Sequence, residues 1–197
     1  LEAKEHCPQL ELACTKTTIA FVLRHMHPLS LHDLELLRRF STEHGVQWWL
    51  QSKGPESVKL MDAERVDSEL QMLSYELPVF DLVMKFRPTD FTQVNPHINR
   101  VLVTRALRLL DAQAHERVID WFCGLGNFTL PIATMAGLVL GVEGSEALVA
   151  RARDNLVWNQ SQRKTTFAPT QFAARNLFDM KPELLVADGT ADKWLVD

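Results

Sequence analysis

One run constrains this chain more than any other: Arg117-Val118-Ile119-Asp120-Trp121-Phe122-Cys123-Gly124-Leu125-Gly126-Asn127-Phe128. Its first part is apolar with β-branched residues, the pattern of a strand buried on both faces of a parallel sheet, and it ends in a Gly-x-Gly turn. A helix is expected to follow over 127–136, with Asn127 as its cap and Pro131 tolerated in its first turn. Strand, glycine turn and helix start together bring backbone N–H groups close to a nucleotide-like ligand. The next run, Leu138-Val139-Leu140-Gly141-Val142-Glu143, predicts a second strand. Its terminal acid lies about twenty residues beyond the first glycine, where a carboxylate can accept both hydroxyls of a ribose. The two runs make a Rossmann-type half-site and set the fold class as α/β.

The rest of the second half continues that alternation. Strand 117–122, helix 127–136, strand 138–143, helix 145–159, strand 165–168, a mixed segment with helix near 182–186 and a strand over 193–197 predict half of a doubly wound parallel sheet. Ser145 caps the helix in which Leu148, Ala152 and Leu156 recur on one face. Upstream, Asn95 caps and Pro96 begins a helix running to about Leu110, with Val101, Leu102, Leu109 and Leu110 on its apolar side. Gln93 stands just before that helix, held there either for a ligand or only to close a loop hydrogen bond. The first half reads as a small α+β unit. It comprises a strand over Thr18–Arg24, a helix from a Ser30 cap to Gly45 with Leu34, Leu37 and Phe40 on one face, a strand over Val46–Leu50, a turn, and short strands through Phe86. The expected division is therefore 1–86 and 87–197.

At 197 residues and 46% hydrophobic content the chain has ample material for a globular core. No run has the length of a membrane span and no signal segment opens it, so a cytoplasmic protein is expected, with no membrane and no obligate protein partner. The three cysteines, Cys7, Cys14 and Cys123, are too scattered for a disulfide framework. His25 and His27 lack an accompanying acid or thiol at ligand spacing, and no metal is expected. Trp48-Trp49 carries one side chain to the core and leaves the other to stack a base. The formal net charge of −4 disfavours nucleic-acid binding through bulk electrostatics, which leaves a local patch or parts outside this chain. Leu1 and the apolar run before Asp197 read as cut ends, so a fragment is expected.

The turn also discriminates between cofactors. A dinucleotide fingerprint calls for glycine at the position held by Thr129, which disfavours a nicotinamide oxidoreductase. Asp120-x-x-x-Gly124-x-Gly126 instead resembles the opening motif of class I methyltransferases. With Phe91-Thr92-Gln93-Val94-Asn95 before it, Asn127-Phe128-Thr129-Leu130-Pro131 directly after it and Gly141-Val142-Glu143-Gly144 beyond, the chain resembles the RNA (uracil-C5)-methyltransferases. Within them it is most similar to the RumA type, which forms 5-methyluridine in 23S ribosomal RNA.

That resemblance implies a Rossmann-like S-adenosylmethionine (SAM) domain, here partial, after a small α+β domain. It implies cofactor contacts at Gln93, Phe122, Asn127, Glu143, Asn176 and Asp197, with Gly124 and Gly126 shaping the turn. Glu143 is expected at the ribose, Phe122 and the glycine backbone at the methionine and ribose, Asn176 near the adenine, and Asp197 close to where base and methyl group meet. The family's nucleophilic cysteine, which adds to uracil C6, and its general-base glutamate are expected outside this chain. The target base is expected to be flipped from its stack. Cys123 belongs to the cofactor loop rather than to the chemistry. A 4Fe–4S cluster is allowed in a full-length protein but not expected in this chain. The competing readings are a relative acting on transfer RNA or another ribosomal uridine, the nicotinamide enzyme, and a non-catalytic interaction domain.

Overall fold

The computed structural model describes residues 1–66 and 71–197. Its first unit opens with a hairpin that the sequence pattern did not reveal: β1 (Gln9–Cys14) pairs antiparallel with β2 (Ile19–Arg24). β1 is an edge strand, and its apolar residues Leu10 and Leu12 are exposed. α1 (Leu31–His44) follows, with Ser30 Oγ accepting from Asp33 N at 3.1 Å and Gly45 ending it in the left-handed region. It crosses over to β3 (Val46–Gln51), parallel to β2, and β4 (Lys59–Leu60) closes a sheet of order β1-β2-β3-β4. Leu37 of α1 packs on Leu23 and Trp48. Trp48 and Trp49 are both buried, and Trp48 stacks on Phe21 with ring centroids 5.0 Å apart, so neither indole is free to take a base. The short strands expected through Phe86 are β4 and two more at Leu73–Leu77 and Leu82–Phe86; residues 67–70 between them lie outside the described residues.

The second unit begins inside a hairpin, β5 (Leu73–Leu77) and β6 (Leu82–Phe86). Tyr75–Lys85 belongs to this unit with 91–197, while residues up to Ser74 and Phe86–Asp90 belong to the first, so the division differs from a single cut after residue 86. α2 (Pro96–Leu110) starts as its pattern predicts, Asn95 Oδ1 accepting from His97 N and Ile98 N. Its buried face is Asn99, Val103 and Leu107; Val101, Leu102 and Leu109 are exposed, contrary to expectation. Apolar residues surround this helix, so periodicity alone selects the wrong side.

Four parallel strands follow: β7 (Arg117–Trp121), β8 (Leu138–Glu143), β9 (Thr170–Ala174) and β10 (Lys193–Val196), in the order β10-β7-β8-β9. Between them lie α3 (Thr129–Ala133), α4 (Glu146–Gln162) and α5 (Pro182–Asp188). α3 and α4 pack on one face of the sheet; on the other, Leu177, Met180 and Ala191 cover Ile119, Trp121, Leu140 and Val142. The third strand is not 165–168: Thr170 is the residue registered opposite Val139 of β8. A bidentate pair, Arg175 to Asp188 at 2.6 and 2.7 Å, ties the end of β9 to α5 and organises the long crossover.

Two asparagines on α4 read the backbone of β6 as a neighbouring strand would. Asn159 accepts from Val83 N (2.9 Å) and donates to Val83 O (2.8 Å), and Asn155 does the same at Lys85 (2.8 and 3.1 Å). Asn155 also donates to the carbonyl of Leu125 at 3.2 Å, which fastens the glycine turn.

Candidate cofactor site

The strand order reverses between β7 and β10. In a parallel sheet of this kind a ligand crevice opens outside the carboxyl ends at that switch point. Most of the residues expected at a cofactor are gathered there or along the same edge. Phe122, Gly124, Gly126 and Asn127 follow β7, Glu143 ends β8, Asn176 follows β9, and Asp197 follows β10. Gln93 is exposed just before α2, whose first turn reaches the glycine turn through Asn99. Among residues 121–133 only Phe122, Gly124 and Asn127 escape burial.

Each of these three has a distinct local geometry. Phe122 has φ +60°, a conformation that costs a non-glycine residue on the order of 1–3 kcal/mol and turns its ring outward. Gly124 has φ +56° and, among the described residues, nothing within 4 Å of where a Cβ would stand, so a ligand can lie directly on its backbone. Asn127 does not cap α3, as the sequence pattern suggested. Its amide is engaged sideways, accepting from Tyr75 Oη (2.8 Å) and Asn99 Nδ2 (3.0 Å) and donating to Asn99 Oδ1 (2.9 Å). Gly126 has a different reason to be glycine. At φ +95° its Cβ would stand 2.6 Å from Leu130 Cδ1 and 3.6 Å from Ala152 Cβ, so it packs the turn onto α3 and α4.

Glu143 holds the two sides of the crevice together. Its Oε2 accepts from Gly124 N and its Oε1 from Ser145 N, both at 3.0 Å, which leaves the outer lone pairs for a diol. Asn176 starts a tight turn, accepting from Phe178 N (3.0 Å) and donating to Asp179 (2.5 Å). That turn presents Phe178, whose ring is 92% exposed and stands 6.4 Å from the ring of Phe122 at 62°. Sequence reasoning missed Phe178, as well as Tyr75 and Asn99; the buried polar residue on the apolar face of α2 was the available signal. An apolar cavity of about 210 Å³ opens beside Phe122, lined by Trp121, Leu177, Met180, Leu185 and Trp194.

The family model described as tRNA (uracil-5-)-methyltransferase matches residues 57–167, more than half of the chain. The chain belongs to this family. It is 64% identical over all of its length to the 23S rRNA (uracil(1939)-C(5))-methyltransferase RlmD of Acidovorax sp. strain JS42. It is 65% identical to the protein of the same name from Albidiferax ferrireducens. The chain spans 40% and 41% of the lengths of these two relatives. A solved structure of similar fold is Pyrococcus abyssi tRNA (uracil-54, C5)-methyltransferase in complex with S-adenosyl-L-homocysteine. It matches at TM-score 0.59 and 17% identity over 88% of this chain and 40% of that one. The Rossmann-like methyltransferase fold expected from the glycine turn is the fold of this family member.

Burial raises the pKa of two groups, one at the end of β7 and one in the turn that follows it. Cys123 is buried, and burial, followed by the charges of Asp120 and Glu143, pushes its thiol far above the usual range, so it is no thiolate nucleophile. Asp120 is fully buried: Oδ2 accepts from Thr129 Oγ1 at 2.5 Å and Oδ1 has no hydrogen-bond partner among the described residues. Burial raises its carboxyl from 3.8 to about 7; the Thr129 hydroxyl opposes the rise, and the charges of Asp197 and Glu143 add to it.

The raised value makes stability fall with pH. Between about pH 4 and pH 7 the folded chain keeps a proton that the unfolded chain has released. The contribution is complete below that window, declines by about 1.4 kcal/mol per pH unit within it, and is lost above it. Asp120→Asn keeps the shape and cannot titrate. Urea midpoints measured from pH 5 to pH 8 are therefore expected to shift progressively in favour of the variant; parallel pH profiles would show that Asp120 does not titrate in this window.

Proposed function

We propose that this chain forms the cofactor-binding half of a SAM-dependent RNA (uracil-C5)-methyltransferase that makes 5-methyluridine in 23S ribosomal RNA, in the cytoplasm. The observation that carries this reading is the Glu143 carboxylate bridging Gly124 N and Ser145 N beside an open, positive-φ glycine. It is the arrangement expected of a site that takes a ribose without a pyrophosphate. Membership of the family and the names of the two relatives support the choice of reaction and RNA.

SAM supplies an activated methyl group on a sulfonium centre. The chain's own residues would bind and orient it. Glu143 accepts the ribose hydroxyls with the lone pairs not already committed, which fixes the sugar at the end of β8. The backbone at Gly124 and the ring of Phe122 exclude water from its flank, Asn127 offers its side-chain amide, and Asp197 closes the end of β10 next to β7. Asn176 sits where the adenine is expected, on the turn that carries Phe178. Gln93 would approach from the start of α2.

The test uses the full-length protein with SAM labelled at the methyl group. Unmodified 23S ribosomal RNA and transfer RNA transcripts are offered separately, and the products are digested to nucleosides. Label in 5-methyluridine from the ribosomal RNA alone is expected. Label in the transfer RNA instead would move the reading to the other branch of the family, and no transfer to either would overturn it.

A further inference from the structure

Gly124 and Gly126 give the turn its shape and also its freedom, because a glycine backbone occupies several conformations at little cost and its surroundings must hold it in one. The turn is gripped from two sides. On the crevice side Glu143 Oε2 accepts from Gly124 N at 3.0 Å. From behind, the buried Asn155 of α4 donates to the carbonyl of Leu125, the residue between the two glycines, at 3.2 Å. The direction of this amide is fixed by its partners. Its Oδ1 accepts from Lys85 N (2.8 Å), which can only donate, and its Nδ2 faces the carbonyls of Lys85 (3.1 Å) and Leu125, which can only accept. Asn159, one turn further along α4, makes the same pair of bonds to Val83 but gives its other proton to the carbonyl of Asn155 at 2.8 Å. The two side chains are therefore alike toward β6 and differ at Leu125.

We propose that Asn155 is a positioning residue for the cofactor: by fixing the Leu125 carbonyl against the backbone of Lys85, it holds the glycine turn in the shape that keeps Gly124 N–H on Glu143 and the Gly124 backbone open to the ribose end of the ligand. The inference rests on the reading of the turn as a SAM site and extends it to a residue buried behind the crevice. The helix that carries Asn155 also starts beside Ser145, whose N–H is the second partner of Glu143, so one rigid element sets both grips on the turn.

The experiment compares Asn155→Ala with Asn159→Ala in the full-length protein, read as S-adenosylhomocysteine affinity by calorimetry at a temperature where melting curves show both variants folded. Both are expected to melt below the wild type, since each frees a backbone pair of β6. Asn155→Ala is expected to bind roughly threefold to tenfold more weakly, the range of one neutral hydrogen bond, and Asn159→Ala about as the wild type does. A second measurement needs no variant and stands if either fails to fold. In the wild type, S-adenosylhomocysteine is expected to raise hydrogen-exchange protection at Lys85 N–H by a larger factor than at Val83 N–H, because the amide that holds Lys85 also holds the turn. Equal losses of affinity in the two variants, wild-type affinity in Asn155→Ala, or equal gains of protection at Lys85 and Val83 would overturn the proposal. Absence of S-adenosylhomocysteine binding by the wild type would overturn the reading of the turn itself, and the proposal with it.

Discussion

Glu143→Ala is expected to raise the Kd for S-adenosylhomocysteine by 100-fold or more, about 3 kcal/mol, with the fold retained. The carboxylate accepts from Gly124 N and Ser145 N, and in the proposed complex also from two ribose hydroxyls. Hydrogen bonds to a charged acceptor contribute roughly 1.5–3 kcal/mol each, and their losses at one group are not additive. Glu143→Gln is the sharper variant. Each carboxylate oxygen already faces a backbone N–H, so whichever way the glutamine amide turns, its NH2 meets Gly124 N–H or Ser145 N–H. It is therefore expected to bind almost as poorly as Glu143→Ala, although it is nearly isosteric. Calorimetric titration of the wild type and both variants decides the matter, and near wild-type affinity in the pair would remove Glu143 from the site.

The largest loss of stability is expected from Asn159→Leu. Asn159 is fully buried, and its amide is the partner of both the N–H and the C=O of Val83. Leucine matches its bulk but leaves both backbone groups unpaired, at about 1–3 kcal/mol each. The sum, roughly 4 kcal/mol, corresponds to a fall of about 8–16 °C in Tm for a chain of this size. Hydrogen exchange is expected to show lost protection at Val83 and Lys85 before the central strands are affected. A variant within about 1 kcal/mol of the wild type would mean that the β5–β6 hairpin is not held by α4.

How much could be read in advance depended on the range of the interactions. Ser30, Asn95 and Ser145 cap their helices as their positions suggest, because a cap reaches only two or three residues along the chain. The apolar runs of β7 and β8 were legible because a strand covered on both faces tolerates little else. β9 was displaced from 165–168 to Thr170–Ala174 because its position is set by register against β8, which lies outside its own segment. Asn127 was misread as a cap for the same reason. In isolation an asparagine at a helix start satisfies backbone, whereas here Tyr75 and Asn99, 52 and 28 residues away, take its amide.

Sequence alone determined the strand, turn and helix chemistry around Gly124 and Gly126 and the acid at the end of the next strand, because glycine conformation and burial patterning act locally. Only the tertiary structure decided which groups those residues face. It set Glu143 against Gly124 N–H, closed Gly126 onto Leu130 and Ala152, and turned Asn155 and Asn159 inward as partners for the backbone of β6. Hydrogen-bond pairing between residues tens of positions apart is fixed by the packing of whole elements, and the spacing of letters along one element does not encode it.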